Sequence, residues 1–254
     1  MRKRNRHFTT IGVERERFIM RRSDGKIVPM IGTLLPIIQN VAEKNALPPS
    51  LFCYELFAGQ IEDRTMPCDS LRQLREALAA NDSVMEEVAN QNGLAFCFSE
   101  FIEESQIASL EVNPFDQRHQ DIWGSLSQER RVAASAVAAV HIHLAVSEKK
   151  AVKLLNACRK EAVDRLSKIG DHSNGKRIAA YVTMAQTLGI PPVFSDFQSV
   201  IRYIDDHGGE KNVWDLVRYK PSTKTVEFRM FGATQSVEEI IEYGTACIEL
   251  LQTS

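Results

Sequence analysis

Hydrophobic and polar residues follow two different periods along the chain, and each period predicts a class of secondary structure. Alternation of apolar and polar residues predicts strands at residues 9–20, 51–58, 61–65, 94–99, 139–146, 214–220 and 225–231. Apolar residues that recur every three or four positions predict helices at residues 33–45, 70–92, 148–169, 176–188, 197–206 and 237–251. Because strands and helices do not alternate one for one, the pattern favours an α+β fold with helices packed on a mixed or antiparallel sheet.

Local turn and cap signals refine these bounds. Ser236 and Glu239 have the spacing of a capping box, in which each side chain bonds the backbone amide of the other at a helix start. Residues 220–224 predict a hairpin turn, because proline fixes φ while Ser and Thr hydrogen-bond locally. Pro191 and Pro192 are expected to end the preceding helix.

The composition is that of an ordinary globular protein and argues against two classes of partner. Of the 254 residues, 44% are hydrophobic and 25% are charged. The formal net charge of −2 gives no general attraction to nucleic acid or to anionic lipid. The sequence has no apolar run of the roughly 18 residues that a membrane span needs, and its basic start is not followed by the apolar core of a secretory signal. We therefore expect one cytoplasmic domain over residues 1–254.

Residues 1–7 are expected to form a frayed basic tail. The alternative is a phosphate-binding arm formed by Arg2, Lys3, Arg4 and Arg6.

The cysteines predict neither a disulfide framework nor a cysteine zinc site. They are odd in number, widely scattered and without a CxxC pair, at Cys53, Cys68, Cys97, Cys158 and Cys247. We expect most of them to be buried thiols that pack as small apolar residues.

Two glutamates lie two residues apart in the first predicted strand. Glu14 and Glu16 share one face, with Gly12 leaving room beside them, because side chains alternate across a strand. Arg15 and Arg17 share the reverse face. Adjacent carboxylates repel unless cations or donors lie between them. The pattern is therefore compatible with a solvated edge strand or with one wall of a cation site.

Two later strands carry similar pairs of ionisable residues. His141 and His143 share one face of residues 139–146, opposite an apolar face, and neutral imidazoles in this spacing can bind a metal. The alternative is a pair of histidines hydrogen-bonded inside the core. Glu227 and Arg229 likewise share the polar face of residues 225–231, where the alternative is a surface ion pair of small energetic value.

A fourth segment contributes two more carboxylates, Glu55 and Glu62. Because they are seven residues apart, they cannot share one face of a straight strand, but a bend at Gly59 and Gln60 can bring both to the same site. The alternative leaves one of them on the surface. Five carboxylates on these segments are too many to cluster without divalent cations, and a site this rich in oxygen ligands favours Mg²⁺ or Mn²⁺ over zinc.

These four segments, in this order, resemble glutamate–cysteine ligase family 2, also called the carboxylate–amine ligase family. The family pattern G-[IV]-E-x-E matches residues 12–16, and E-L-x-x-G-Q-[IV]-E-x-x-T matches residues 55–65. The pattern H-[IV]-H matches residues 141–143, and T-[VI]-E-x-R matches residues 225–229 after an aromatic-rich strand that ends in Arg218. The sequence lacks the GxGxxG and GxxxxGK[ST] loops, so a nucleotide must be held in another way.

The resemblance implies a fold like the catalytic domain of glutamine synthetase, a curved and mainly antiparallel sheet flanked by helices. It implies an ATP- and Mg²⁺- (or Mn²⁺-) dependent ligase that activates a carboxylate, expected to be glutamate's, as an acyl phosphate for attack by an amine such as cysteine. The metal ligands that it implies are Glu14, Glu16, Glu55, Glu62, His141 and Glu227. Arg229 is expected to face the transferring phosphoryl group and, with Glu62 and Arg177, to be catalytic.

A polar loop at residues 171–177 resembles a loop near the substrate in the family. We expect Arg177, and after it Lys176, to clamp a carboxylate or a phosphate of the bound nucleotide or substrate. The alternative is a solvated helix start. The chain is shorter than typical members, chiefly between Glu62 and His141, so an amine other than cysteine stays open.

Two other functions are compatible with the sequence. One is a metalloenzyme that uses His141 and His143 without ATP, although an HExxH motif is absent from the sequence. The other is a catalytically silent relative that binds a nucleotide or another small ligand. Residues 237–251 are expected either to support a homodimer or to cap the sheet.

Overall fold

The computed structural model describes residues 9–187 and 189–254. The predicted basic tail and its alternative as a phosphate-binding arm lie outside the described residues. The strands are β1 (Ile11–Arg21), β2 (Phe52–Tyr54), β3 (Gln60–Arg64), β4 (Leu94–Cys97), β5 (Ala139–Ala145), β6 (Val217–Lys220) and β7 (Thr225–Gly232). The helices are α1 (Ile31–Lys44), α2 (Leu71–Gln91), α3 (Gln117–Ser125), α4 (Gln128–Ser135), α5 (Glu148–Ala157), α6 (Lys160–Gly170), α7 (Lys176–Ala185), α8 (Phe197–Asp206) and α9 (Val237–Thr253).

The strands of the described residues form one sheet in the order β2-β3-β1-β5-β7-β6, with β4 paired to β1. All pairings between these strands are antiparallel. The interpretation of β1 as a solvated edge strand is therefore wrong, because β3 and β5 lie on either side of it. Just past β3, Thr65 Oγ1 accepts a hydrogen bond from Val13 N at 3.0 Å and extends the β1–β3 register.

One face of the sheet is covered by helices and holds the main apolar core. Apolar residues of β1, β5 and β7 pack in one cluster with residues of α2, α5, α6 and α9. Helix α9 contacts β5, and Tyr243 on this helix stacks on Phe231 of β7 with ring centroids 4.6 Å apart. The helix thus caps the sheet, one of its two predicted roles, whereas the homodimer stays a prediction. Within the described ranges, none of the helices is long and apolar enough to cross a membrane.

Two predicted helices differ from the observed ones, and two observed helices were not predicted. The helix predicted at 148–169 breaks at Cys158, a fully buried thiol, and continues as α6. The break allows α5 to pack against α8 while α6 packs against β7. Helix α7 ends at Ala185, well before Pro191, because Gln186 adopts a left-handed conformation with φ 56°. Helices α3 and α4 were missed, although their N-caps Asp116 and Ser127 were readable signals.

The predicted capping box at the start of α9 forms only in part. Ser236 Oγ accepts a hydrogen bond from Glu239 N at 3.2 Å, as expected. The carboxylate of Glu239, however, accepts from Thr234 Oγ1 at 2.7 Å, and Ser236 N donates to the same hydroxyl at 3.0 Å. The hairpin turn between β6 and β7 is confirmed, and the five cysteines are free thiols.

The helix-covered face of β1 also buries a charged cluster. Arg15 and Arg17 are 1% and 2% exposed, and both bind the fully buried Asp63 of β3 at 2.7 Å. Asp82 of α2 accepts from both guanidinium groups, and Asn81 donates to Asp63 at 3.0 Å. Burial alone would raise the pKa of Asp63, but the two arginines hold it below its ordinary value.

This cluster predicts a large loss of stability when its buried anion is removed. Asp63→Ala should lower the free energy of unfolding by about 3 kcal/mol or more, because two buried guanidinium groups then share Asp82 alone. Denaturant unfolding followed by circular dichroism measures the change. The control is Asp24→Ala, which breaks the exposed Arg21–Asp24 pair and should cost far less. Equal losses in the two variants would contradict the structural role given to Asp63.

Candidate active site

The antiparallel register places the four polar segments on the face of the sheet opposite the helix-covered core. Glu14 on β1 lies directly opposite His141 on β5, and Glu16 lies opposite Glu62 on β3. His143 lies opposite Glu227 on β7. Directly opposed residues share a face of a sheet, so segments far apart in sequence converge.

His141 stands at the centre of the converging carboxylates and is 3% exposed. Its Nδ1 lies 3.4 Å from Glu14 Oε2 and 3.6 Å from Glu227 Oε1, and its Nε2 lies 3.6 Å from Glu16 Oε1. Ligand atoms of Glu14, His141 and Glu227 lie within 4.8 Å of one another, and so do those of Glu16, Glu62 and His141. The described residues therefore form two candidate metal-binding triads that share one imidazole.

Cationic side chains surround this cluster. Glu227 is fully buried and accepts hydrogen bonds at 2.6 Å from both Arg218 Nε and Arg229 Nη1. The alternative of a surface ion pair between Glu227 and Arg229 is therefore wrong, because Glu227 is fully buried. Arg64 contacts Glu62, and its Nε lies 3.7 Å from Glu14 Oε1.

The titration behaviour of the carboxylates divides them into two groups. Burial would raise the pKa of both Glu14 and Glu227, but neighbouring imidazole, ammonium and guanidinium groups lower it well below its ordinary value. His143, His141 and Lys220 lower the pKa of Glu14. Arg218 and Arg229 are the main groups that lower the pKa of Glu227.

Glu16, Glu55 and Glu62 behave in the opposite way. Burial raises the pKa of Glu16 to about 8 and that of Glu55 to about 7, and neighbouring carboxylates add to both shifts. Burial, with Glu14 and Glu55, also raises the pKa of Glu62. Glu16 and Glu62, which belong to one of the two triads, are the carboxylates that a cation would ionise on binding.

Burial also lowers the pKa of His141 to about 4, and Arg229 lowers it further in the same direction. The imidazole is therefore neutral at physiological pH, which is the form that binds a metal.

The bend after β2 brings Glu55 to the site. A Cβ on Gly59 would lie 2.4 Å from the ring of Phe57, so only glycine allows this close approach. Glu55 and Glu62 line one cleft, and their carboxyl groups interact. Glu55 belongs to neither metal-binding triad, although it was expected to be a metal ligand.

Arg177 and Lys176, the two basic residues predicted to clamp a ligand, lie in different cavities. Arg177 is 1% exposed and lies at the site, where its guanidinium donates to the carbonyl of Met230. The alternative of a solvated helix start is therefore wrong for this residue. The structure does not bring Lys176 to the carboxylate cluster, because its ammonium binds Glu103 at 2.8 Å in a separate, exposed depression.

Several residues of the site were missed from the sequence. Arg64 and Lys220 follow recognised residues by two positions on a strand, a spacing that could have identified them. Arg118 and His119 reach the site on the missed helix α3, and Tyr54 lines the same cleft of about 320 Å³.

The chain matches one family model and resembles known proteins along most of its length. Residues 10–162 match the family model described as glutamate-cysteine ligase family 2. The chain is 23% identical to a candidate glutamate–cysteine ligase 2 of Thermobifida fusca, over 91% of this chain and 60% of that protein. It is 25% identical to a candidate of the same name in Rhodopirellula baltica, over 92% of this chain and 66% of that protein. The chain thus spans about 60–66% of the length of the curated relatives it matches.

Solved structures resemble the fold. The crystal structure of a bifunctional glutathione synthetase from Pasteurella multocida superposes with a TM-score of 0.52 at 15% identity, over 96% of this chain and 38% of that one. The structure of Plasmodium falciparum glutamine synthetase superposes with a TM-score of 0.53 at 10% identity, over 97% and 52%. At these identities the likeness concerns the fold alone, and it confirms the predicted glutamine synthetase-like fold with a mainly antiparallel sheet flanked by helices.

The raised pKa of Glu16 predicts how the stability of the metal-free protein depends on pH. The folded state binds this proton more tightly than the unfolded state does. The contribution of Glu16 to stability is therefore fully present below its ordinary pKa of 4.5 and is lost as the pH rises through about 8. The stability of the wild type relative to Glu16→Gln, which stays neutral, should fall by roughly 1–3 kcal/mol between about pH 5 and about pH 9.

Denaturant titrations of the two proteins at both pH values, with chelator present, measure this difference. Added Mg²⁺ should reduce it, since a bound cation favours the ionised carboxylate. A difference in stability that does not change with pH would show that Glu16 is ionised in the folded, metal-free protein.

Proposed function

Because the chain belongs to glutamate–cysteine ligase family 2, we propose that it is an ATP- and Mg²⁺-dependent ligase that joins a carboxylate to an amine. The observation that carries the proposal is the pair of metal-binding triads sharing His141, with Arg229 beside them. Glutamate as the acid and cysteine as the amine are the finer proposal, and the names of the two curated relatives support it.

The residues of the cluster fit a divalent cation. Each triad combines two carboxylates with one neutral imidazole, an oxygen-rich set that suits Mg²⁺ or Mn²⁺. Glu14, His141 and Glu227 would hold one ion, and Glu16 and Glu62 would hold a second with the same imidazole. Bound there, such ions neutralise negative charge on the phosphates of ATP.

The first chemical step is phosphoryl transfer. An oxygen of the substrate carboxylate attacks the γ-phosphorus of ATP, a new P–O bond forms, and the P–O bond to ADP breaks with its electron pair leaving on ADP. Negative charge spreads over the oxygens of the transferring group. Arg229 has a buried Nε–H without a partner among the described residues, so this donor is available to that charge.

The second step is attack by the amine on the acyl phosphate. The nitrogen forms a C–N bond to the acyl carbon, and the C–O bond to phosphate breaks with its electron pair leaving on phosphate. The amine must lose a proton as the bond forms. In this proposal Glu55 accepts the proton, and its position in the cleft outside both triads supports that role.

The ligase proposal predicts that two charged residues of the cluster are needed for turnover. Arg229→Lys and Glu62→Gln should each reduce ADP formation by roughly 100-fold or more, because each removes charge or geometry that the transferring phosphoryl group requires. The assay supplies ATP, Mg²⁺, glutamate and a panel of amines, and measures ADP and the amide product. Arg72→Lys and Glu76→Gln, an exposed pair on α2, are the controls and should keep wild-type turnover.

The same assay separates the alternatives. A metalloenzyme independent of ATP would contain tightly bound zinc as purified and form no ADP. A silent relative would bind ATP but form no ADP with any acid and amine. Nucleotide binding that is undetectable, together with absent turnover, would overturn the proposal.

A further inference from the structure

A separate cavity lies between helix α2 and strand β4, away from the cleft. Its volume is about 310 Å³, which falls in the range of roughly 300–1,000 Å³ that is typical of small-molecule sites. The described residues that line it are all different from those that line the cleft. This α2–β4 cavity is therefore a candidate binding site that the proposed ligase chemistry does not use.

Arg17 offers an unused donor to the α2–β4 cavity. The residue is 2% exposed, and its guanidinium donates from Nε to Asp63 at 2.9 Å and from Nη2 to Asp82 at 2.7 Å. The third nitrogen, Nη1, has no hydrogen-bond partner among the described residues. Since Arg17 lines the cavity, Nη1 is the donor that it can offer to a ligand there.

The positive charge of Arg17 is incompletely balanced by its neighbours. Burial and the nearby Arg15 lower the pKa of the Arg17 guanidinium, although Asp63 and Asp82 act in the opposite direction. An anion bound beside this group would favour its charged form, because opposite charges attract strongly where water is excluded. The charge of the ion cluster thus favours an anionic ligand.

Other groups of the cavity also offer donors. Arg22 donates from Nε to Leu94 O and from Nη2 to Asn90 Oδ1, which leaves its Nη1 and the side-chain N–H groups of Asn90 without a partner among the described residues. The amide of Gln235 lines the same cavity. A ligand that accepts several hydrogen bonds matches this set, and a carboxylate is such an acceptor.

The acidic residues of the cavity limit how much negative charge a ligand can carry. Asp82 already accepts from both Arg15 and Arg17, and Glu86 is an exposed residue that also lines the cavity. Both carboxylates would repel a second charge on the ligand. The cavity therefore suits a monoanion better than a dianion such as phosphate.

The rest of the cavity wall is apolar and partly aromatic. Ala89, Ala95, Phe96 and Phe98 line it, and the two phenylalanine side chains are only half-buried. The ring of Phe98 lies over the guanidinium of Arg17, with the Arg17 Cζ atom 4.8 Å from its centroid. A flat aromatic body would cover these rings, since aromatic pairs contribute roughly 0.5–1.5 kcal/mol beyond the burial of area.

We propose that the α2–β4 cavity binds a small aromatic monocarboxylate, of the chemical class of phenylacetate and benzoate. Its carboxylate accepts hydrogen bonds from Arg17 Nη1 and from the free donors of Arg22 and Asn90. Its ring packs against Phe96 and Phe98. This site goes beyond the proposed ligase function and does not depend on it, because binding here needs neither the metal ions nor turnover.

Calorimetric titration of the full chain tests the class of ligand. The probes are phenylacetate, benzoate, phenylacetamide, acetate and inorganic phosphate. Phenylacetate or benzoate should bind saturably, and phenylacetamide and acetate roughly tenfold or more weaker, because the first lacks the charge and the second lacks the ring. Equal or tighter binding of phenylacetamide, acetate or phosphate would overturn the proposal, and so would the absence of saturable binding by both aromatic acids.

Variants of the cavity wall locate the binding. Ala95→Leu fills the cavity and Arg22→Met removes a donor, so each should weaken phenylacetate roughly tenfold or more. Circular dichroism checks that both variants fold. Arg72→Met, at an exposed position of α2 outside the cavity, is the matched control and should keep wild-type affinity.

The same titration with Mg²⁺ and a non-hydrolysable ATP analogue present separates this cavity from the cleft, which also contains arginines. Phenylacetate should bind with unchanged affinity in their presence, because the described residues of the two sites do not overlap. Binding that survives both Ala95→Leu and Arg22→Met would place the ligand elsewhere and overturn the proposal. A chain that forms no ADP would remove the ligase function and leave this site unaffected.

Discussion

Repulsion among the carboxylates gathered on one face of the sheet is the constraint on which this structure depends. Glu14 and Glu227 remain ionised because imidazole and guanidinium groups surround them. Glu16, Glu55 and Glu62 have too few such partners, and burial shifts each of them toward its neutral form. The site thus holds more potential negative charge than its own cations neutralise, and that surplus is the physical basis for a divalent cation.

The opposite, helix-covered face of the same strands also buries charged residues, and these need partners of opposite charge. Each of the two glutamates of β1 is followed by an arginine, Arg15 or Arg17, and these arginines lie in a covered layer where unpaired charge is costly. Asp63, on the neighbouring strand, pairs with both of them. Because Glu62 precedes Asp63, the ion cluster on one face and the carboxylates on the other are fixed by one strand register.

Segments outside the sheet shape the cleft above this floor. Helix α3 contributes Arg118, whose guanidinium donates to Lys211 O at 3.0 Å and to Asn212 Oδ1 at 3.1 Å. This contact connects α3 to the segment that leads into β6. It keeps Arg118 and Lys211 together at one side of the cleft. The apolar residues that line the cleft of about 90 Å³ beside the triads come mainly from α3, α4, α7 and the loops beside them. In the proposed ligase, the sheet would supply the groups for phosphoryl transfer, and the surrounding elements would limit which substrates fit.

The sequence by itself determined the strands of the sheet, most of the helices and most of the residues on the polar face, although it missed Arg64 and Lys220. It could do so because alternation along a strand is a local property, and Glu14, Glu16, His141 and Glu227 each follow it. The break at Cys158 was not readable, because it depends on which neighbours α5 and α6 pack against.

Only the tertiary structure decided how the polar residues group together. Strand register paired Glu14 with His141 and Glu16 with Glu62. The loop after β2 left Glu55 outside both triads, and the first turn of α7 directs Lys176 to Glu103, away from Arg177. Register and the packing of helices depend on contacts between residues far apart in the chain. A local pattern therefore predicts which side chains share a face, whereas the distances among them are set by the fold.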